Sequence, residues 1–306
     1  MDRDMRKEDM NRCIYCGTEF LENEPVKVVN PTGKAFYLVH EKCFCTYISE
    51  KETNRSERKK PLAASKLEES DKLWRYMDLA KFVSMLIDSS LYFSAPEAFD
   101  DIYEGANGAS KNRDTWERFY LSYSRAAIIT APDNCWHKKT EEELEETAHR
   151  LIKEIADPGK KYVFINCWYH NEYESEAMWN MYSTNVKNAI AIQTTYGALS
   201  KQLDQKAEIR PVKYIDYLTQ FAGANDRYWC KKKSFEYEKE VRAIVHDYSK
   251  TGESGIHIPV DLSQLIKKVY ISPYAPKWFE EIIRDLILRY GYDFEVSASE
   301  MTEPPF

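Results

Sequence analysis

No apolar run in this chain approaches the ~20 residues that a membrane-spanning helix needs, so a bilayer anchor is not expected. Residues 1–12 contain no apolar segment, which argues against a secretory leader. Glycine is scarce, 10 residues in 306. No glycine-rich phosphate loop is present, and no Gly-x-Ser-x-Gly elbow, which removes two common catalytic frameworks. An excess of positive charge is also missing. The formal net charge is −7, so a global attraction to nucleic acid or an anionic membrane is not expected. The local basic cluster Arg55, Arg58, Lys59 and Lys60 fits a solvated linker better than a binding patch. Outside the N-terminal segment the histidines form no metal-ligand spacing. His137 and His149 sit in polar helical surroundings, and His170 follows the end of a strand.

Seven cysteines are present, an odd number, and four of them fall between residues 13 and 45. That distribution suits a metal site in a reducing compartment better than a disulfide framework, and a cytoplasmic location is expected. Cys13-x-x-Cys16-Gly17 has the spacing of a knuckle, in which two thiolates reach one tetrahedral ion and the glycine allows the tight turn. Two strand-like runs follow, Val26 to Val29 and Ala35 to Val39, joined by the turn signal Asn30-Pro31-Thr32-Gly33. His40-x-x-Cys43 then opens a helix expected over Glu41 to Ser49. Residues three apart share a helix face. Knuckle, hairpin and ligand pair resemble a treble-clef zinc finger, with Cys13, Cys16, His40 and Cys43 as ligands of one Zn2+ ion. Cys45 points elsewhere and reads as a spare thiol. Four protein ligands leave no open position for water, so the ion is structural.

The pattern divides the chain into a zinc-binding module at 1–50, a charged linker at 51–72 and a larger domain at 73–306. In the last, short strands and helices intermingle. Strands are expected at Leu73–Met77, Leu91–Ser94, Lys161–Trp168, Ala189–Thr194, Val212–Tyr217, Glu238–His246, Lys268–Ile271 and Asp293–Val296. Helices are expected after Asp78 as N-cap and over 113–130, 140–156, Ser175–Tyr182, Tyr196–Leu203 and Pro276–Tyr290. Thr140 with Glu143 has the form of a capping box. The fold class is α+β, a mixed or antiparallel sheet with inserted helices.

One strand carries an unusual charge pattern, Tyr237-Glu238-Lys239-Glu240-Val241-Arg242. Residues i and i+2 of a strand share a face, which groups Glu238, Glu240 and Arg242 against Val241, Ala243 and Val245. Burying two adjacent carboxylates raises at least one pKa unless a cation compensates, and Arg242 and Arg75 are candidates. From spacing alone, a solvent-facing strand with ordinary ion pairs fits better. Asp100, Asp101 and Glu104 add acids that, with the Glu-x-Glu pair, suit a magnesium-dependent nuclease.

Several ordered stretches resemble the uncharacterised bacterial DUF-2971 family. They are Leu73-Trp74-Arg75-Tyr76, Leu91 to Pro96 with Phe99-Asp100-Asp101, Cys167-Trp168-Tyr169, Met178 to Tyr182, Tyr237 to Arg242, and Val269 to Pro273. The order of a first-strand arginine, a mid-domain strand entering a helix, and a late Glu-x-Glu is similar to that of the ADP-ribosyltransferase fold. That resemblance implies NAD as substrate. Arg75 would contact the phosphate or ribose region, and Glu240 would bind the nicotinamide ribose and stabilise the oxocarbenium-like centre. Glu238 would orient or deprotonate the acceptor, and Tyr92, Trp168 or Tyr169 would stack on nicotinamide. The chain departs from the pattern at Cys167-Trp168-Tyr169, where members with a first-strand arginine usually carry Ser-Thr-Ser. The implied activity is ADP-ribose transfer to a macromolecule, protein or nucleic acid, or hydrolysis of NAD, in a bacterial toxin or phage-defence setting. The competing reading is a non-catalytic sensor whose finger binds nucleic acid or protein.

Overall fold

The computed structural model describes residues 12–13, 16–21, 24, 26–29, 37–44, 67–129, 140–156, 161–223 and 226–306. The turn expected at 30–33, Cys45, Cys135, His137, the basic cluster at 55–60 and most of the 51–72 segment lie outside them. In chain order the strands are β1 (Val26–Val29), β2 (Tyr37–His40), β3 (Lys72–Asp78), β4 (Ser90–Ser94), β5 (Val163–His170), β6 (Ala189–Thr195) and β7 (Glu208–Pro211). They continue with β8 (Lys213–Ile215), β9 (Cys230–Lys232), β10 (Glu240–His246), β11 (Gly255–Pro259), β12 (Lys268–Ile271) and β13 (Val296–Ala298). The helices are α1 (Leu79–Asp88), α2 (Arg113–Ile129), α3 (Glu141–Ala156), α4 (Glu176–Met181), α5 (Tyr196–Leu203), α6 (Leu262–Leu265) and α7 (Lys277–Arg289).

Two compact units interleave along the chain. The first takes Met1–Ser65, Gly105–Gly159 and Ile215–Lys233; the second takes Lys66–Glu104, Lys160–Tyr214 and Ser234–Phe306. In the first unit β1 and β2 form an antiparallel hairpin. Leu38 of that hairpin shares an apolar cluster with Trp116, Phe119, Tyr120, Ile152 and Phe221. The expected capping box starts α3: the Thr140 backbone N–H donates to Glu143 Oε2 at 2.8 Å, and the Glu143 N–H to Thr140 Oγ1 at 3.2 Å. This satisfies two backbone groups that a helix start leaves unpaired.

The second unit is α+β, built on a nine-stranded sheet ordered β11-β4-β5-β3-β6-β12-β13, with β10 branching from β5 and β7 pairing with β10. Its pairings are antiparallel except β12 with β13. Alternation along each strand sorts the two faces. Leu73, Met77, Trp168, Val241 and Ala243 join Phe82 and Leu86 of α1 and Phe279, Ile283 and Ile287 of α7 in the main core. Each Leu, Val, Ile, Phe or Met side chain among them contributes about 1.5–3 kcal/mol on burial. Trp74, Tyr76, Tyr169, Ala191 and Tyr270 face the other way, onto Met178 and Trp179 of α4.

The sheet forks beside β5. On one edge β5 pairs along its whole length with β10, from Glu240–Tyr169 to His246–Val163. Its other edge is shared. Leu73 and Trp74 of β3 pair with His170 and Tyr169, whereas Ser94 of β4 pairs with Ile165. Residues 166–168 lie in the fork between them.

Three local expectations are adjusted. Asp78 does stand at the N-cap of α1, but its side chain makes no cap bond; Oδ1 accepts from the Thr184 N–H instead. The strand expected at Asp293–Val296 runs over Val296–Ala298. β7, β9 and β11 had no expectation. Lastly, Glu238 closes a 3-10 turn, and strand β10 begins at Glu240.

Candidate functional site

Cys13, Cys16, His40 and Cys43 each offer a donor atom, and the four atoms lie within 4.8 Å of one another. The knuckle explains the first pair. The Gly17 N–H donates to Cys13 O at 2.8 Å and the Cys13 N–H to Thr18 O at 2.9 Å. Gly17 has φ 72, a conformation costly for residues with a Cβ. His40 ends β2, and Cys43 lies in the helical turn at 41–44. His40 Nδ1 faces Cys16 Sγ at 3.3 Å, and Nε2 meets Glu24 Oε2 at 3.2 Å. A carboxylate on the far nitrogen is the usual partner of a metal-bound imidazole. Burial first, then Cys16 and Cys13, push the Cys43 thiol up to about 11; a divalent cation reverses that by stabilising the thiolates. Three thiols and an imidazole fit a closed tetrahedral zinc site. Among the described residues this is the cluster of Cys, His, Asp and Glu donors that could share an ion.

The second unit contains a cavity of about 870 Å3 that opens at the fork. Arg75, Tyr92, Trp168, Tyr169, Glu238 and Glu240 all line it. The volume lies within the range of small-molecule sites.

Arg75 enters the fork from β3. Its guanidinium donates to Cys167 O and to Tyr92 O, both at 3.5 Å, and lies 5.9 Å from the Trp168 ring centroid. Burial holds it below the ordinary arginine value. Long bonds to two carbonyls leave most of its charge uncompensated, so the fork attracts an anion. Asn166 braces the same opening, with Nδ2 donating to Tyr92 O at 2.8 Å and Oδ1 accepting from Trp168 Nε1 at 2.6 Å.

Glu240 and Arg242 project from β10 on the face opposite Val241 and Ala243, as the alternation requires. They are buried, not solvent-facing. Arg242 has no exposed surface. Its Nε donates to Glu240 Oε1 at 2.7 Å, and its NH1 and NH2 clasp Glu104 Oε1 and Oε2 at 2.5 and 2.8 Å. Burial opposes the charge on Arg242, but Glu240 and Glu104 outweigh it and raise its pKa well above the ordinary value. The Cys167 thiol lies within hydrogen-bond reach of Glu240; burial and then that carboxylate push the thiol well above its usual range. The Tyr214 hydroxyl accepts from the Glu240 backbone N–H at 2.7 Å.

Glu238 reaches the cavity by another route. Lys239, between the two acids, has φ 39, a left-handed conformation that non-glycine residues seldom adopt. Its carbonyl accepts from the His170 N–H at 3.0 Å. This turn, and not strand alternation, presents both acids to one hollow. Glu238 is hydrogen-bonded to Tyr182, whose hydroxyl is raised by burial first and by Glu238 next.

Of the three aromatic candidates, Tyr92 is 40% exposed at the mouth, against His257 at 5.1 Å between centroids. Trp168 is buried beneath Arg75, and Tyr169 packs edge-on against Tyr76 at 6.2 Å. Sequence reasoning missed Tyr182, Tyr214 and His257. Glu104 figured only among nuclease acids, and its carboxylate is occupied by Arg242. A guanidinium inside the acidic group disfavours a magnesium site there.

No family model matches the chain and no curated protein matches it, so the DUF-2971 resemblance gains no support from that side. Among solved structures, Thermus sp. 2.9 DarT in complex with NAD+ is similar at TM-score 0.38 and 7% identity, over 78% of this chain and 100% of that one. DarT in complex with ADP-ribosylated ssDNA gives 0.37 and 8%, over 79% and 100%. DarT with carba-NAD+ gives 0.35 and 7%, over 76% and 97%. Scores of that size carry no argument about this chain. No helix among the described residues is long and apolar enough to cross a membrane.

Proposed function

We propose that the second unit binds NAD in the fork and breaks its nicotinamide–ribose bond, passing ADP-ribose to a macromolecular acceptor or to water. The observation that supports this reading is the meeting of Arg75, Glu238 and Glu240 in one cavity. Arg75 supplies a partly desolvated positive charge for the pyrophosphate. Glu240, held by Arg242, accepts a hydrogen bond from the nicotinamide ribose and offsets the positive charge that grows as nicotinamide leaves. Glu238 takes the proton of the incoming nucleophile. Tyr92 offers a ring face to nicotinamide or adenine at the mouth. The acceptor is a protein or a nucleic acid, and the setting is that of a bacterial toxin or defence enzyme in the cytoplasm. The Cys3His cluster holds one structural zinc.

The test is nicotinamide release from NAD by the full chain and by Glu240→Gln. The substitution keeps the shape but removes the charge. A fall in turnover on the order of a hundredfold or more is expected. Equal rates in the two proteins would remove Glu240 from catalysis. Failure of NAD to bind in calorimetry would remove the reading altogether.

A further inference from the structure

Arg242 is fully buried and gives its Nε to Glu240. Both terminal nitrogens go to Glu104, which lies far away in sequence, on the segment after β4. Glu104 is itself 3% exposed at its side chain. The bidentate clasp fixes the guanidinium plane, because the fork of an arginine matches a carboxylate in one orientation. With the plane fixed, Nε can point in only one direction, towards Oε1 of Glu240. The acid is thus held from three sides: Arg242 on one oxygen, the Cys167 thiol within reach, and Tyr214 on its backbone N–H.

A buried array of this kind is a poor source of stability compared with apolar packing, so its geometry needs another explanation.

We propose that Glu104 is a positioning residue: through Arg242 it aims the Glu240 carboxylate into the cavity. The proposal rests on the NAD reading for its consequence, though not for its geometry. Glu104 does not itself line the cavity.

The test uses the full chain with Glu104→Gln, Glu104→Asp and Arg242→Lys. Glu104→Gln leaves Arg242 without its anionic clamp, and the guanidinium turns to clasp Glu240 with two nitrogens. A misaimed catalytic group costs on the order of a hundredfold. The expected result is that loss in kcat, with KM for NAD changed by less than about threefold, since Arg75 is untouched. Glu104→Asp keeps the charge but shortens the reach, so it recovers part of the lost kcat. Arg242→Lys, a point charge with no fork, loses as much as Glu104→Gln. If Glu104→Gln does not fold, the other two variants decide the matter by the same split. A purely structural role predicts lower melting temperatures with kcat unchanged, and that result overturns the proposal. Crystal structures of wild type and Glu104→Asp give a readout that needs no turnover. The Glu240 carboxylate should rotate in the variant, and an unmoved carboxylate overturns the proposal even if the wild type proves inactive on NAD. An inactive wild type with a displaced Glu240 would sink the NAD reading and leave the positioning geometry standing.

Discussion

Arg75 and Glu240 line the same cavity although the strands that carry them never pair; β5 runs between β3 and β10. The fork makes this meeting feasible. Arg75 leaves its strand on the core side, near Trp168, while Glu240 leaves on the face of Trp74 and Tyr169. In an unbroken sheet these directions would separate them. Where β3 and β4 part, the cavity opens between the faces and both reach it.

The first prediction concerns Arg75 itself. Its guanidinium is bonded to two backbone carbonyls at 3.5 Å, and among the described residues it makes no ion pair. Charge-assisted hydrogen bonds to a phosphate contribute about 1.5–3 kcal/mol. Arg75→Met should therefore weaken NAD binding at least about tenfold by calorimetry, given ~1.4 kcal/mol per decade. The same substitution should leave the melting temperature unchanged or raise it, because a partly desolvated, uncompensated charge is removed. A large loss of stability with NAD affinity intact would show that Arg75 is a structural brace.

A second prediction separates burial from pairing in the acidic array. Arg242→Met removes the guanidinium that bonds both Glu104 and Glu240, and breaking such a buried pair costs about 3–5 kcal/mol. Denaturant melts at neutral pH should show a loss of that size. The pH dependence has a definite sign. Loss of the guanidinium raises the folded pKa values of both carboxylates relative to wild type. The folded variant then binds more protons than folded wild type, and its deficit in stability narrows as pH falls towards ~5. In the wild type the raised Arg242 pKa gives stability that is lost only above the ordinary arginine range, so its contribution is flat between pH 5 and 9. A variant as stable as wild type at every pH would mean the array is hydrated.

Much of the fold was legible in the sequence, and the reasons differ by element. Tyr196–Leu203 and Lys268–Ile271 were read with their observed limits, because a Thr195 cap and a β-branched run mark them locally. The clustering of Cys13, Cys16, His40 and Cys43 was legible for the same reason: the spacing is short and each residue type has a chemical purpose. β11 was missed because Gly255 and Pro259 bound a run of only three residues between them, too short for periodicity to show. The Glu-x-Glu pair was legible as a pattern, but its solvent-facing interpretation fails at Arg242. No local rule reports that Glu104 arrives from a distant segment to satisfy a buried guanidinium. Nor does alternation foresee Lys239 in a left-handed turn, which moves Glu238 off the strand and still delivers it to the cavity.

Cys167 supplies a reporter of the site's electrostatics. Burial and the nearby Glu240 hold its thiol well above the usual range, while Arg242 pulls it down. Only thiolate alkylates at an appreciable rate. Iodoacetamide labelling at pH 8, read at the Cys167 peptide by mass spectrometry, should be slow in wild type. Removing the carboxylate in Glu240→Gln favours the thiolate, so labelling should accelerate at least about threefold and its pH midpoint should fall. NAD should protect Cys167 if it fills the cavity. Labelling that is fast in wild type, or slower in the variant, would contradict the contact with Glu240.

The metal cluster gives the last prediction, and it turns on Glu24. His40 Nε2 meets Glu24 Oε2 at 3.2 Å while Nδ1 faces the thiols. The carboxylate thus selects the tautomer in which Nδ1 carries the lone pair for the ion. Purified protein should contain one zinc per chain, and Cys16→Ser or His40→Ala should remove it. Glu24→Gln should retain zinc at saturation but weaken it about ten- to a hundredfold, measured by competition with a chromogenic chelator. Because binding to a cluster of this kind is coupled to folding of its segment, chelation should lower the first melting transition. Affinity in Glu24→Gln equal to wild type would mean that Nε2 is the ligand and that the ring is turned over.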